Sequence, residues 1–251
     1  MFQDESNKTF VGRFLLPHEI LPWLESQRKP SWAKYICTHH TYSPTYDQWK
    51  GLSTLKGIFN YYKITRGWTE GKGPHFWVAP REKGGPVGVW IGTHPSKVGI
   101  GAAGWNSDTL HCEYAWNGDI VPFSDPVLTV GAALMGALNK WLGIPLEPVD
   151  IADGYAVKGK RGHLFHRDAR NANKSCPGNK NTHANVISVY KEKNMAPVDD
   201  WTSEAKWLRE KGIVNGFPDG TYRPTVQITR GQMAIALKRF YEVIEKEFQK
   251  K

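Results

Sequence analysis

Nine histidines and three cysteines are spread along the 251 residues, and what they can do depends on which of them converge. A catalytic zinc takes three protein ligands from imidazole, thiolate or carboxylate and keeps a fourth position open for water. His39 or His40, in Tyr35-Ile36-Cys37-Thr38-His39-His40-Thr41, would meet that number together with His166 and Cys176. Adjacent residues on a strand point to opposite faces, so one of the two neighbouring histidines is the candidate and periodicity does not choose. The alternative for the pair is one hydrogen-bonded core imidazole and one surface residue. His166 and Cys176 lie ten positions apart across a polar, basic stretch that Cys176-Pro177-Gly178 would end sharply; a buried free cysteine is also often inert packing.

A carboxylate suited to proton transfer sits between them in sequence. Along Thr109 to Trp116, Leu110, Cys112, Tyr114 and Trp116 share one face while His111, Glu113 and Ala115 share the other. Glu113 is thus either a functional acid on an otherwise apolar strand or the solvent side of an edge strand. His75 carries a similar choice between a catalytic imidazole and a structural one.

These residues need elements to hold them. Tyr35 to Thr41, His75 to Ala79 between Pro74 and Pro80, and Thr109 to Trp116 before the Asn117-Gly118 turn signal read as strands. A helix is expected from about Thr45 to Tyr62, with Trp49, Leu52, Leu55, Ile58, Phe59 and Tyr62 on one face and Gly67 and Gly71 at its exit. Val127 to Leu142 reads as a buried helix and Thr182 to Lys193 as the last helix of this region. The first thirty residues, with Pro17, Pro22 and Pro30, read as turns and one short helix. Strands interleaved with helices predict an α/β domain over residues 1–193, a mixed central sheet flanked by helices. Residues 194–251 can form a small all-α module of two helices joined by the turn Phe217-Pro218-Asp219-Gly220, the second opened by a capping box at Thr229-Arg230-Gly231-Gln232.

Bulk properties narrow the function less. A composition of 40% hydrophobic and 23% charged residues is that of a globular protein. Three cysteines cannot complete a disulfide framework. The net charge of +9 favours polyanions, among them nucleic acid, anionic lipid and teichoic-acid-bearing wall. No nucleic-acid reading motif accompanies it, so nucleic acid is not an expected partner. Met1 to Phe10 has no apolar signal core, and the apolar stretch at Val127 to Leu142 is shorter than the roughly 20 residues that span a bilayer. The expectation is synthesis in the cytoplasm with no membrane span.

Four segments, in order, resemble the zinc-dependent N-acetylmuramoyl-L-alanine amidase family, which includes phage endolysins, cytosolic anhydromuropeptide amidases and animal peptidoglycan-recognition proteins. They are Tyr35 to Thr41; Arg66-Gly67-Trp68 with Gly73-Pro74-His75-Phe76; Trp105-Asn106 with Leu110-His111-Cys112-Glu113; and Gly162-His163 through His166 to Lys174-Ser175-Cys176-Pro177-Gly178. The resemblance covers about residues 30 to 190. It implies one Zn2+ per chain on His39, His166 and Cys176, Glu113 as general base, Lys174 as oxyanion stabiliser and His75 as a substrate-contacting residue. The implied activity is cleavage between N-acetylmuramic acid and L-alanine in bacterial peptidoglycan, with a phage endolysin acting at the wall after membrane breach as the expected role. A host autolysin or a non-catalytic peptidoglycan-binding protein is the alternative. Many members carry tyrosine before the His-Phe pair, where this chain has Pro74, which shifts the implied proton work to Glu113.

Trp201 to Arg239 resembles a single S-layer homology repeat, through Gly212-Ile213-Val214-Asn215-Gly216-Phe217-Pro218-Asp219-Gly220-Thr221-Tyr222-Arg223-Pro224 and Ile228-Thr229-Arg230. That resemblance implies binding of a secondary cell-wall polymer through Thr229 and Arg230. Such modules ordinarily act as three repeats, and this chain has one.

Overall fold

Strands with apolar residues on both faces have to be covered on both sides, and that requirement organises this protein. The computed structural model describes residues 2–68, 72–169, 174–195, 203–214 and 230–248. In it the chain divides into two compact units, Met1–Asn194 and Met195–Lys251. The first unit runs β1 (Phe10–Leu15), α1 (Pro17–Glu25), β2 (Tyr35–His40), α2 (Leu52–Ile64), β3 (Phe76–Pro80), β4 (Val87–Thr93), β5 (Thr109–Tyr114), α3 (Asp125–Leu142), the short β6 (Ile151–Ala152) and β7 (Tyr155–Ala156), β8 (Gly162–Phe165) and α4 (His183–Met195).

Six strands form one sheet in the order β1-β4-β3-β5-β2-β8. The β1/β4 and β4/β3 pairs are antiparallel, while β3/β5, β5/β2 and β2/β8 are parallel. The sheet is therefore mixed, as the sequence predicts. Parallel neighbours require crossovers, and α2 lies in the connection from β2 to β3 as α3 does in that from β5 to β8.

One face of the sheet, with Ile36, Phe76, Val78, Leu110, Cys112 and Tyr114, packs on Ile20, Trp23 and Leu24 of α1 and on Val127, Leu134 and Leu138 of α3. Each such side chain, fully buried, contributes about 1.5–3 kcal/mol. Gly131 lets α3 approach closely, because a Cβ there would overlap the Tyr114 ring. On the opposite face Leu55 and Phe59 of α2 cover Trp49, Trp77 and Trp90, and Tyr35, Cys37, Trp105 and Leu164 form a second small cluster.

Strands β1, β4 and β8, and the short β6 and β7, are not foreseen from sequence. In β1 the alternation is broken by Gly12, at φ 70, and by a register shift between Phe10 and Arg13. In β4 the glycines 88 and 92 interrupt the pattern because neighbours occupy their side-chain space: a Cβ on Gly92 would stand 2.6 Å from Trp77 Nε1, the close approach that glycine in a strand often marks. The helix expected from Thr45 begins at Leu52 instead. Gly51, at φ 71, turns the chain immediately before it, and Trp49 is buried from that turn rather than from a helical face. The buried helix is longer than expected by Asp125 and Pro126 at its start, and ends at Gly143 in the left-handed conformation, a common helix stop.

The second unit holds α5 (Ser203–Glu210) and α6 (Arg230–Phe248). The turn expected at 217–220 and the capping residue Thr229 lie outside the described residues. Among the described residues no helix is long and apolar enough to cross a membrane.

A candidate metal centre at the ends of the parallel strands

The parallel register brings the chemistry together. His39 pairs with Glu113 and Cys37 with His111 across β2/β5, so all four share the face away from α3. On the other side of β2, Thr38 pairs with Phe165, which puts His166, one residue on, level with His39. The His39 and His166 Nδ1 atoms are 3.2 Å apart. Cys176 arrives on the loop after β8, its Sγ accepting the His40 backbone N–H at 3.3 Å. One ligand atom each from His39, His166 and Cys176 lies within 4.8 Å of the other two. His40 points elsewhere: its Nδ1 accepts the Gly118 N–H at 2.9 Å and its Nε2 stands 4.0 Å from Asp119. The choice that strand periodicity leaves open thus falls to His39 on geometry.

This donor set fits zinc. Nitrogens at 2.0–2.1 Å from a tetrahedral zinc stand about 3.3–3.4 Å apart, close to the separation of the two Nδ1 atoms. Burial holds His39 well below the usual imidazole range. His166 is lowered to about 4 by burial, then by the charges of Lys174 and His40. Both rings are therefore neutral and offer lone pairs. Burial pushes the Cys176 thiol up, so its use as thiolate needs a cation alongside. Glu113 is 9% exposed; its Oε1 is 4.0 Å from His39 Nδ1 and its Oε2 has no hydrogen-bond partner among the described residues. Burial pushes this carboxyl up to about 8. A second set, Cys37, His39 and His111, also satisfies the spacing of metal ligands and shares His39 with the first.

The Cys176 loop is clamped by contacts that sequence reasoning does not find. Gly178, at φ 107, lies against Gly118 so closely that a Cβ on either would overlap backbone. Asp119 accepts the Ser175 hydroxyl at 2.7 Å and the Asn179 N–H at 2.9 Å. Asn181 donates to the Pro177 carbonyl at 3.0 Å and accepts the Phe123 N–H at 3.0 Å. The Asn117-Gly118 turn was visible in the sequence, but its partner sixty residues on was not. Lys174 is exposed, and its charge reaches both His166 and Cys176.

Beside Glu113 opens a groove of about 480 Å³, lined by His40, Thr41, Ile58, Tyr61, Tyr62 and Trp77 among others. His75, expected to contact substrate, does not reach it. It is fully buried, its Nδ1 accepts the His111 N–H at 2.9 Å and its Nε2 donates to the Lys97 carbonyl at 3.0 Å. Both nitrogens are thereby used, and His75 is a structural imidazole. Pro74 contributes its carbonyl, which accepts the Thr93 N–H at 3.1 Å and the Trp77 indole at 3.3 Å. Thr229 lies outside the described residues, and of Arg230 the backbone alone is described, at the first position of α6.

Comparison with known proteins adds two family matches. Residues 27–179 match the N-acetylmuramoyl-L-alanine amidase family, and residues 195–234 match the S-layer homology domain. A curated relative, the outer membrane protein SlpA of Thermus thermophilus, is 44% identical over 52 residues, which are 20% of this chain. The chain spans 6% of the length of that relative. Similar solved structures include the N-acetylmuramoyl-L-alanine amidase LysC from Clostridium intestinale URNW, 18% identical, with 74% of this chain and 94% of that one covered at a TM-score of 0.47. Drosophila PGRP-LB is 17% identical, with 68% and 83% covered at a TM-score of 0.45.

Proposed function

Because the chain belongs to the N-acetylmuramoyl-L-alanine amidase family, we propose that it is a zinc-dependent enzyme that hydrolyses the amide between the lactyl group of N-acetylmuramic acid and L-alanine in peptidoglycan. The reading rests chiefly on one arrangement: three ligand atoms of His39, His166 and Cys176 within 4.8 Å, with the Glu113 carboxylate, one oxygen of which has no partner among the described residues, beside them at the edge of a groove. When bound, zinc supplies a water acidified towards neutral pH and a Lewis acid for the scissile carbonyl.

The chain's own residues do the rest. His39 and His166, neutral at physiological pH, present Nδ1 lone pairs, and Cys176 presents its sulfur. Glu113, as a carboxylate beside a cation, takes the proton of the attacking water and hands it to the leaving nitrogen of L-alanine, general base and then general acid in turn. Lys174 places positive charge near the oxygen that becomes negative, the kind of preorganised interaction that contributes about 2.7–4 kcal/mol for a well-placed donor. The aromatic walls at Tyr61, Tyr62 and Trp77 border the groove where the peptide stem or sugar would lie.

Digestion of purified peptidoglycan tests this. New L-alanine amino termini together with free lactyl carboxyls should appear with zinc and vanish with a chelator. Release of reducing sugar ends instead would refute the reaction class. Cys176→Ala should lower zinc content below one per chain, and full occupancy in that variant would refute the ligand set.

The wall-lysing endolysin role belongs to the same proposal, as does contact of the S-layer homology segment with a secondary wall polymer. Lysis of cells on expression together with a membrane-permeabilising protein, and no lysis without it, would support the former. Co-sedimentation of the full chain with walls before, but not after, extraction of the secondary polymer would support the latter.

A further inference from the structure

His111 has no role in the scheme above, yet it is built into the protein with unusual care. It is fully buried on the central strand β5. Its Nδ1 lies 3.1 Å from His39 Nε2, on the side of that ring opposite His166. The loop before β5 passes over it with no side chain: a Cβ on Gly101 would stand 2.5 Å from His111 Cγ and 2.6 Å from its Nδ1, and one on Gly99 would stand 2.9 Å from His75 Nε2. Asn106 pins that loop, its Oδ1 accepting the N–H groups of Gly101 and Ala102 at 3.0 Å each. His75 stacks on His111 with ring centroids 5.9 Å apart and planes 20° from parallel.

From this geometry we infer that His111 is a positioning residue: its Nδ1 accepts the His39 Nε2–H and so holds His39 with its Nδ1 bare and aimed at His166 and Cys176. The inference rests on the zinc reading given above. An imidazole that ligates a metal through one nitrogen carries its proton on the other, and the partner of that proton fixes both tautomer and ring orientation. His111 must then be protonated at Nε2, the atom that has no partner among the described residues. The competing use of these atoms, a metal on Cys37, His39 and His111, would lie on the buried side of His39. Glu113 and the groove are on the Nδ1 side, where an ion can keep the open position that catalysis requires.

The test compares His111→Leu with His111→Asn, two side chains of nearly equal shape of which only asparagine can accept the His39 proton. Zinc affinity of the full chain is read by competition with a chromophoric chelator, and thermal midpoints of the metal-free proteins control for folding. His111→Leu is expected to weaken zinc by about 10–100-fold, with His111→Asn recovering most of the loss. Nitrogen NMR of the zinc-loaded wild type should find His39 and His111 each protonated at Nε2. Wild-type affinity in His111→Leu, equal weakening in both variants, or a proton on His111 Nδ1 would overturn the inference while leaving the zinc centre standing. A wild type that binds no zinc removes the centre itself. Loss of zinc in both His111 variants but not in Cys176→Ala moves the ion to the other ligand set and overturns both.

Discussion

Glu113 is the residue on which the proposed chemistry turns, and its surroundings explain why. Its neighbours in register, His39 and Trp77, give it a neutral imidazole and an indole rather than a counter-ion, so burial alone sets its elevated pKa. Glu113→Gln keeps the shape and removes the proton exchange. It should fold, bind zinc at one per chain and lose about 10²–10⁴-fold in turnover. Its thermal stability should match or exceed that of the wild type, because a buried ionisable group without a partner is replaced by a neutral one. Turnover within a few-fold of wild type on purified peptidoglycan would take Glu113 out of the mechanism.

At the scale of elements, the site depends on two loops meeting. The Cys176 loop is held by backbone contact between Gly118 and Gly178, beside the bonds from Asp119 and Asn181 and the Arg167 N–H on the Cys176 carbonyl at 2.9 Å. Gly178→Ala must displace one backbone or the other and adopt a φ that alanine rarely takes. A loss of about 1–3 kcal/mol is expected, along with weaker zinc binding because the sulfur moves. Gly57→Ala on α2, where no atom of the described residues lies within 4 Å of the added methyl, is the control and should stabilise by up to about 1 kcal/mol. Equal midpoints for the two variants in denaturant titrations would refute the loop argument. The same contrast shows what sequence can reveal. The β-branched and aromatic content of β2 and the alternation in β5 were legible because they are local, and the alternation placed Glu113 and His111 on one face correctly. Whether that face met solvent or core depended on β3 and β2 flanking β5, which no local pattern encodes. Strands β1 and β4 escaped notice because their glycines answer to side chains on other elements, Leu52 of α2 for Gly12, Phe14 of β1 for Gly88 and Trp77 of β3 for Gly92, and β8 because its four residues are all buried and show no alternation. The choice of His39 over His40 needed the position of Cys176, far along the chain.

At the scale of the whole molecule, the first unit carries ionisable groups whose burial makes the fold sensitive to acid. Burial lowers His75 to about 4, His94 to about 4 and His163 to about 3. All three rings are neutral in the folded protein and are spent on hydrogen bonds, His94 to Gln27 and Ser96 and His163 to Thr38. In the unfolded chain they titrate near 6.5, so there the unfolded state binds more protons and stability falls as pH falls. Their contribution is complete above about pH 6.5 and is lost on the way down to about 4 or 3, each group costing at most about 1.4 kcal/mol per pH unit. Glu5 acts in the same direction lower down. Burial would raise its pKa, but bonds from Arg13, Lys8 and Trp23 outweigh that and bring it to about 2, so its contribution is lost as pH falls from about 4.5 towards 2. Glu113, raised to about 8 by burial, acts in the opposite sense between about pH 8 and 4.5, so the test uses metal-free Glu113→Gln, kept in chelator so that zinc release plays no part: its denaturation midpoint should be flat from pH 8 to 7 and decline steadily below 6.5. Adding His163→Gln should soften that decline, since it removes one of the buried neutral rings. A midpoint unchanged between pH 7 and 5 would mean that these histidines are hydrated or already charged in solution, and that the packing around them is looser than described.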